Sequence, residues 1–190
     1  FISQGIDLNT ITMKQYFDIT QIELTLFAVN ASTYELTPFN YKTTPDILLL
    51  DALYFTSCIP TIFKPEEYKG VCYLDGGILS KTPVNYCVEV LKVDKNEIFA
   101  IDCYWKQYQN TPISKDDDFI SFIYNIILKM YINNIDKINY DDIPYFIDMK
   151  TISYSKNTLE NIFQSVETRR ELYFDGIKQG EAFIKKLNKE

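Results

Sequence analysis

Strand-like and helix-like segments alternate along the whole of this 190-residue chain, and that alternation limits the possible folds more than any other feature. Stretches rich in β-branched and aromatic residues, typical of strands, lie at residues 22–31, 34–41, 71–74, 97–103 and 145–153. Apolar residues with helical spacing or helix-start signals lie at residues 12–18, 46–57, 83–91, 114–131 and 165–187. Strands interleaved with helices, with no repeat or linker between them, predict one α/β domain.

Two of the predicted helices begin with recognisable capping residues. Thr12 and Gln15 have the spacing of a capping box, which predicts the start of the first helix. Thr44-Pro45-Asp46 combines a capping hydroxyl, a proline suited to the first helical position and an acid, so we expect the second helix to begin at Asp46. The buried side of that second helix is expected to carry Leu49, Leu50, Leu53 and Tyr54.

Other turns and helix starts are also visible in the sequence. Lys69-Gly70 between two short strands predicts a tight hairpin, and Pro38 is expected to interrupt the strand at residues 34–41. Ser114 with Asp116 to Asp118 predicts an acidic helix start rather than a calcium site, because no further carboxylates follow at ligand spacing. The apolar residues of that helix cover more than one face. This is typical of a helix buried against a sheet, and also of an acyl-channel wall or a lid.

Charge and hydropathy exclude several classes of partner. A net charge of −7 argues against nucleic acid, because phosphate binding needs clustered Lys and Arg. No stretch reaches the roughly 20 apolar residues that a membrane span needs, and no charged-then-apolar signal segment opens the sequence. We therefore expect a cytoplasmic protein that is at most peripheral to membranes. The first residue is Phe1, so we expect the chain to be a piece of something longer.

The four cysteines, at positions 58, 72, 87 and 103, are scattered, and the sequence contains no histidine. Structural zinc requires closely spaced Cys or His ligands, so we expect no metal, and nothing in the sequence indicates a cofactor. Scattered cysteines are typical of buried free thiols in an intracellular protein. Disulfides between residues 58 and 72, or between 87 and 103, remain open from the sequence.

Tyr73-Leu74-Asp75-Gly76-Gly77 is the segment with the most chemical content. An apolar strand here delivers an acid to a turn whose two glycines allow positive φ and close backbone approach. A residue just past the end of a strand in an α/β sheet faces the usual ligand crevice, which places Asp75 to act as a general base. Taken alone, however, Asp-Gly after a strand is most often a plain turn, and these residues by themselves favour that interpretation.

The residues around this turn favour a catalytic interpretation over a plain turn. Asp51-Ala52-Leu53, Ser57-Cys58-Ile59-Pro60, Asp75-Gly76-Gly77 and Thr82-Pro83-Val84 follow one another in an order and spacing that resemble the patatin-like phospholipases. The strand ending at Asn30 and the helix starting at Ser165 also resemble elements of that family. The resemblance implies a patatin-like layered fold, with a mainly parallel central sheet flanked by helices. Residues 1–190 are then expected to form the C-terminal part of a single such domain.

The same resemblance implies a chemistry. Members of the family use a Ser–Asp dyad, in which the aspartate of an Asp-Gly-Gly or Asp-Gly-Ala motif activates a serine that attacks a lipid ester. Asp75 matches the dyad aspartate, and Gly76 and Gly77 match its motif partners. The implied substrates are phospholipids or neutral lipids in membranes or micelles. The lack of histidine fits, since a dyad, unlike a Ser-His-Asp triad, needs none.

Two departures from the family pattern bear on function. None of the six glycines frames a Gly-x-Ser-x-Gly, so the nucleophile and oxyanion hole are expected in the N-terminal half of the same domain, covalently joined or as a separate chain. In addition, Lys81 stands where family members commonly have Asn, which replaces a donor and acceptor by a cation that only donates. The alternative is therefore a catalytically inactive patatin-like module with an assembly or partner-binding role.

Overall fold

The computed structural model describes residues 7–60, 62–104, 113–115, 118–133, 140, 142–150, 162 and 164–188. Its helices are α1 (Met13–Thr20), α2 (Leu49–Thr56), α3 (Val84–Glu89), α4 (Phe119–Asn133) and α5 (Val166–Leu187). Its strands are β1 (Leu26–Asn30), β2 (Glu35–Phe39), β3 (Glu67–Tyr68), β4 (Val71–Asp75), β5 (Phe99–Tyr104) and β6 (Tyr145–Lys150). Two compact units result, one of Phe1–Lys81 with Ile123–Asp136, the other of Thr82–Phe122 with Lys137–Glu190. The mixed α/β character is confirmed.

The sheet of the first unit has the order β2-β1-β4-β3, and every neighbouring pair is antiparallel. The expectation of a mainly parallel sheet is therefore wrong for this sheet. For two of the three pairs the reason lies in the connections: four residues, 31–34, join β1 to β2, and two join β3 to β4, and such short links allow only antiparallel neighbours. The predicted hairpin at Lys69-Gly70 is confirmed, with φ of 53° and 80°, as the turn that suits the strand twist requires.

Pro38 lies within the edge strand β2 and does not interrupt it. Its Cα is paired with that of Phe27 in the register of β1 and β2. A proline is tolerated there because an edge strand does not need every N–H for the ladder. The Pro38 carbonyl accepts a hydrogen bond from the Thr43 hydroxyl at 2.9 Å.

The capping box predicted for α1 is confirmed. The Gln15 N–H donates to the Thr12 hydroxyl at 3.2 Å, and the Thr12 N–H donates to the Gln15 side-chain oxygen at 2.9 Å. The end of the helix has Gln21 in the left-handed conformation, with φ of 57°. Local chemistry alone therefore fixes the start of this helix.

The predicted start of α2 is wrong by three residues, since the helix begins at Leu49 rather than Asp46. The Ile47 carbonyl accepts the Met13 N–H at 2.9 Å, and the Leu49 N–H donates to the Ile11 carbonyl at 2.9 Å. These bonds, together with the Lys14 N–H that donates to the Pro45 carbonyl at 3.0 Å, tie residues 45–49 to the beginning of α1. Tertiary pairing has overridden the local helix-start signal.

The face of α2 that packs on the sheet also differs from expectation. Leu49 is buried as predicted, but Leu50 and Leu53 are 40% and 38% exposed, and Ala52 and Phe55 are buried instead. The Phe55 ring lies 5.8 Å from the ring of Phe39 and 5.3 Å from that of Tyr73. The core of the first unit is built around these rings: Ile11, Met13, Ala28, Phe39, Ile47, Leu49, Ala52, Phe55 and Tyr73.

The second unit contains the one parallel strand pair of the described residues, β5 with β6. A long connection separates these two strands in sequence, which a parallel pair requires. Its buried core consists of Val84, Ile98, Ala100 and Ile143. Helix α5 begins where predicted, with the Ser165 hydroxyl accepting the Thr168 N–H at 3.2 Å. The part of the predicted strand beyond residue 150 lies outside the described residues.

Helix α4 begins after Asp118, whose carboxylate accepts the N–H groups of Ile120 and Ser121, both at 3.0 Å. This confirms Asp118 as a helix-start residue, while residues 116 and 117 lie outside the described part of the chain. Phe119 and Ile120 are each 76% exposed, so the first turn of α4 is not buried. Within the described ranges, no helix combines the length and the apolar character that crossing a membrane would require.

Candidate active site

Asp75 is the last residue of β4, and three elements meet at its backbone. Its Cα is paired with that of Ala28 in β1. Its N–H donates at 2.9 Å to the carbonyl of Cys58, just beyond the end of α2. The chain then turns into a 3-10 helix at Gly76–Ile78. Asp75 is thus held by β1, β4 and the end of α2 before its side chain makes any contact.

The Asp75 side chain is partly buried and has one oxygen engaged. Its Oδ1 accepts the Gly77 N–H at 2.6 Å, which caps the 3-10 turn. Among the described residues, no donor is bonded to Oδ2. Burial raises the pKa of Asp75, and the Gly77 N–H opposes that rise by stabilising the charged form. A carboxylate with a raised pKa and an oxygen open to a further donor has the properties of a general base.

Gly76 lies close against the backbone of Phe27. A Cβ built on it would lie 2.1 Å from the carbonyl oxygen of Phe27 and 2.7 Å from its carbonyl carbon. The predicted close approach is therefore confirmed. The positive φ that glycine allows is not used at Gly76, since Gly70 is the one glycine of the described residues with that conformation. Glycine is required at position 76 by space and not by backbone torsion.

The same Phe27 carbonyl also accepts a hydrogen bond from the end of α2. The hydroxyl of Thr56, the last residue of α2, donates to it at 2.6 Å. Beyond the turn, the N–H groups of Leu79 and Ser80 donate to the Gly76 carbonyl at 3.2 and 3.0 Å. Neither Phe27 nor Thr56 was identified from the sequence as a site residue, because their contacts run through a backbone oxygen that no side-chain pattern reports.

Cys58 is the titratable group next to Asp75. It is buried, and its thiol donates to the Lys64 carbonyl with an Sγ to oxygen distance of 3.6 Å. Burial first, and then the negative charge of Asp75, raise the pKa of the Cys58 thiol. A thiol held protonated in this way is inert as a nucleophile. Cys58, Cys72 and Cys87 are free thiols, so the disulfide between residues 58 and 72 is not formed.

Asp75, Gly76 and Gly77, the three residues singled out from the sequence, are together at this turn. Asp102, the next acid in a strand, lies in the second unit inside β5 and is paired through its Cα with Asp148 of β6. It is therefore not at the end of its strand, and no glycine turn follows it.

Two comparisons with known proteins bear on this chain. Residues 6–88 match the family model described as Patatin-like phospholipase, and the match includes residues 75–77. Over 80 residues the chain is 34% identical to the protein named Probable lipid hydrolase 463L of Invertebrate iridescent virus 6. That stretch covers 42% of this chain and 28% of the relative, so the chain matches little more than a quarter of the relative's length.

Proposed function

We propose that this chain, which over residues 6–88 belongs to the patatin-like phospholipase family, supplies the aspartate base of a Ser–Asp dyad in a lipid acyl hydrolase. The observation that carries the proposal is the Asp75 carboxylate. One of its oxygens is held by the Gly77 N–H at 2.6 Å, and the other is bonded to no donor among the described residues. Burial raises the pKa of Asp75, which brings its basicity closer to that of a working base.

The serine is proposed to come from a segment outside these 190 residues, since none of the glycines here frames a Gly-x-Ser-x-Gly. Asp75 takes the proton of that serine hydroxyl as the serine oxygen bonds to the ester carbonyl carbon. Collapse of the tetrahedral intermediate breaks the ester bond, and the leaving alkoxide takes the proton from Asp75. A water molecule, deprotonated by Asp75 in turn, attacks the acyl-enzyme. As this second tetrahedral intermediate collapses, Asp75 returns the proton to the serine oxygen, which releases the fatty acid and the free serine.

The local structure supports this role for Asp75 in two ways. Its backbone N–H is fixed by the Cys58 carbonyl and its Oδ1 by Gly77, so the remaining oxygen has little freedom to reorient. Preorganisation of this kind lowers the entropy cost of reaching the reactive geometry. The nearest thiol, Cys58, is held neutral and does not compete for the proton.

Substitution of the base tests the proposal, in the protein that includes the nucleophile segment. Asp75→Asn keeps the size of the side chain and removes the base, so we expect kcat for a nitrophenyl ester to fall by roughly two to four powers of ten. Asp94→Asn is a matched control. Asp94 caps the 3-10 turn Lys95–Glu97 in the same way, its Oδ1 accepting the Asn96 N–H at 2.8 Å, but it lies in the second unit. Asp102→Asn is a second control, in a strand.

Both controls are expected to retain activity, and Asp102→Asn is expected to alter stability more than turnover. Near-normal turnover by Asp75→Asn, together with loss of turnover in a folded Asp102→Asn protein, would make the dyad assignment wrong. The 190-residue chain alone is expected to show no esterase activity and no labelling by a fluorophosphonate probe, because its base has no serine to activate.

The second candidate is a catalytically inactive module that binds a partner, and it rests on Lys81 in place of the family's usual Asn. If this candidate is right, neither the parent protein, complete with the nucleophile segment, nor its Lys81→Asn variant hydrolyses esters. If Lys81→Asn alone restores activity, the chain has kept its base and has lost only the support of the turn.

A further inference from the structure

The end of α2 holds the Asp75 turn at two separate points. The Cys58 carbonyl accepts the Asp75 N–H at 2.9 Å. Two residues earlier, the Thr56 hydroxyl donates at 2.6 Å to the Phe27 carbonyl, against which Gly76 packs. Residues at and just beyond the end of α2 therefore hold the turn directly, at Asp75, and indirectly, through the Phe27 carbonyl of β1.

The position of the Phe27 carbonyl decides where Gly76 can lie. The paired register of β1 and β4 ends at Ala28 and Asp75, and beyond it the Thr56 hydroxyl donates to that carbonyl. A Cβ on Gly76 would lie 2.1 Å from the carbonyl oxygen, so any rotation of the Phe27 peptide displaces Gly76 or opens a gap beside it. Gly76 lies between Asp75 and the Gly77 N–H that binds the carboxylate at 2.6 Å, so a displacement changes that hydrogen bond.

We propose that Thr56 is a positioning residue of the Asp75 site: its hydroxyl fixes the Phe27 carbonyl and thereby the Gly76-Gly77 turn that orients the carboxylate. This inference rests on the proposed function for its effect on catalysis. Thr56 touches neither substrate nor nucleophile in this role. It acts through one backbone oxygen.

The chain contains a matched control. Thr20 is the last residue of the eight-residue helix α1, as Thr56 is of the eight-residue helix α2, and its hydroxyl donates to the Tyr16 carbonyl at 2.8 Å. Thr20→Val and Thr56→Val therefore each remove a hydroxyl that donates to a backbone carbonyl. Thr20→Val also removes the acceptor of the Ile22 N–H, which is bonded to the Thr20 hydroxyl at 3.1 Å. Thr56→Ser keeps the hydroxyl and loses only a methyl group.

The experiment measures kcat, KM and the pH dependence of kcat/KM in the protein that includes the nucleophile segment. We expect Thr56→Val to lower kcat about tenfold with KM unchanged, because a misplaced base slows the chemical step. The acidic limb of its pH profile should move to higher pH, because a weaker Gly77 bond stabilises the charged Asp75 less. That limb reports Asp75, since β1 and residues 76–80 contain no titratable side chain and Cys58 is the one that faces it from the end of α2. Thr56→Ser and Thr20→Val should keep the kcat of the parent and the position of the acidic limb of its pH profile.

Hydrogen exchange of residues 71–80 in the same proteins gives a readout independent of activity. We expect faster exchange there in Thr56→Val alone. The proposal is overturned if Thr56→Val matches Thr20→Val in kcat, limb and exchange, or if Thr56→Ser loses as much as Thr56→Val. Should Thr56→Val fail to fold, Thr56→Ala takes its place under the same criteria. If the parent protein has no esterase activity, the proposed function fails, and exchange at residues 71–80 then decides the role of Thr56 alone.

Discussion

Gly76→Ala should damage the site more than its one added methyl group suggests. The new Cβ would lie 2.1 Å from the Phe27 carbonyl oxygen, whereas a carbon and an oxygen normally approach no closer than about 3.3 Å. One of the two backbones must therefore move by about 1 Å. A shift of that size next to a catalytic group costs about 100-fold in rate, and overpacking of this kind costs about 1–3 kcal/mol of stability.

The assay compares kcat for a nitrophenyl ester with the free energy of unfolding in urea. Gly70→Ala is the control, because its added Cβ meets no atom within 4 Å but its φ of 80° is unfavourable for alanine. We expect it to lose about 1 kcal/mol of stability with kcat unchanged. A kcat of Gly76→Ala near that of the parent would contradict this expectation, and so would a loss of kcat in Gly70→Ala as large as that in Gly76→Ala.

Three further outcomes follow from the described contacts. Burial raises the pKa of Asp75 above the ordinary value of an aspartate, so activity should be lost as the pH falls through that raised pKa. The unfolded chain releases this proton at lower pH than the folded one, so stability should fall as pH rises between the two pKa values, and Asp75→Asn should lack both effects. In the native protein a thiol reagent should modify exposed Cys72 rapidly and buried Cys58 only after unfolding, which mass spectrometry of the labelled peptides checks. Thr12→Ala should cost about 0.5–2 kcal/mol in urea unfolding, because it removes the hydroxyl that caps α1, and an unchanged midpoint would contradict this.

Helix caps and turns that depend on residues close together in sequence are predicted correctly. The Thr12 and Gln15 capping box, the Lys69-Gly70 hairpin and the Ser165 cap all depend on neighbours in sequence, and all three are confirmed. The start of α2 was wrong because the groups that compete with its helical hydrogen bonds lie more than 30 residues away, at residues 11–14. The prediction of sheet direction failed for a different reason, because the links that decide it for two of the three strand pairs are short and local. The resemblance implied parallel strands, while the short links within the first unit require antiparallel ones.

The residues of the site show the same difference between local signals and tertiary contacts. Asp75 and its two glycines were found from the motif, because their chemistry is carried by residue type and order. Phe27 and Thr56 were not, since one acts through its backbone carbonyl and the other is an ordinary threonine at a helix end. A contact between a backbone atom and a glycine leaves no pattern in one sequence, so only coordinates reveal it.

Pro38 has a consequence for how this chain meets other chains. At its position on the outer strand β2 there is no N–H to offer, and the carbonyl is already bonded to Thr43. The opposite margin of the sheet, β3, is two residues long. Another chain could therefore add a fifth strand only poorly, because the hydrogen-bonding edge is interrupted at β2 and very short at β3. Among the described residues, neither margin of this sheet therefore offers a long unbroken edge for the edge-to-edge stacking by which exposed sheets seed aggregates.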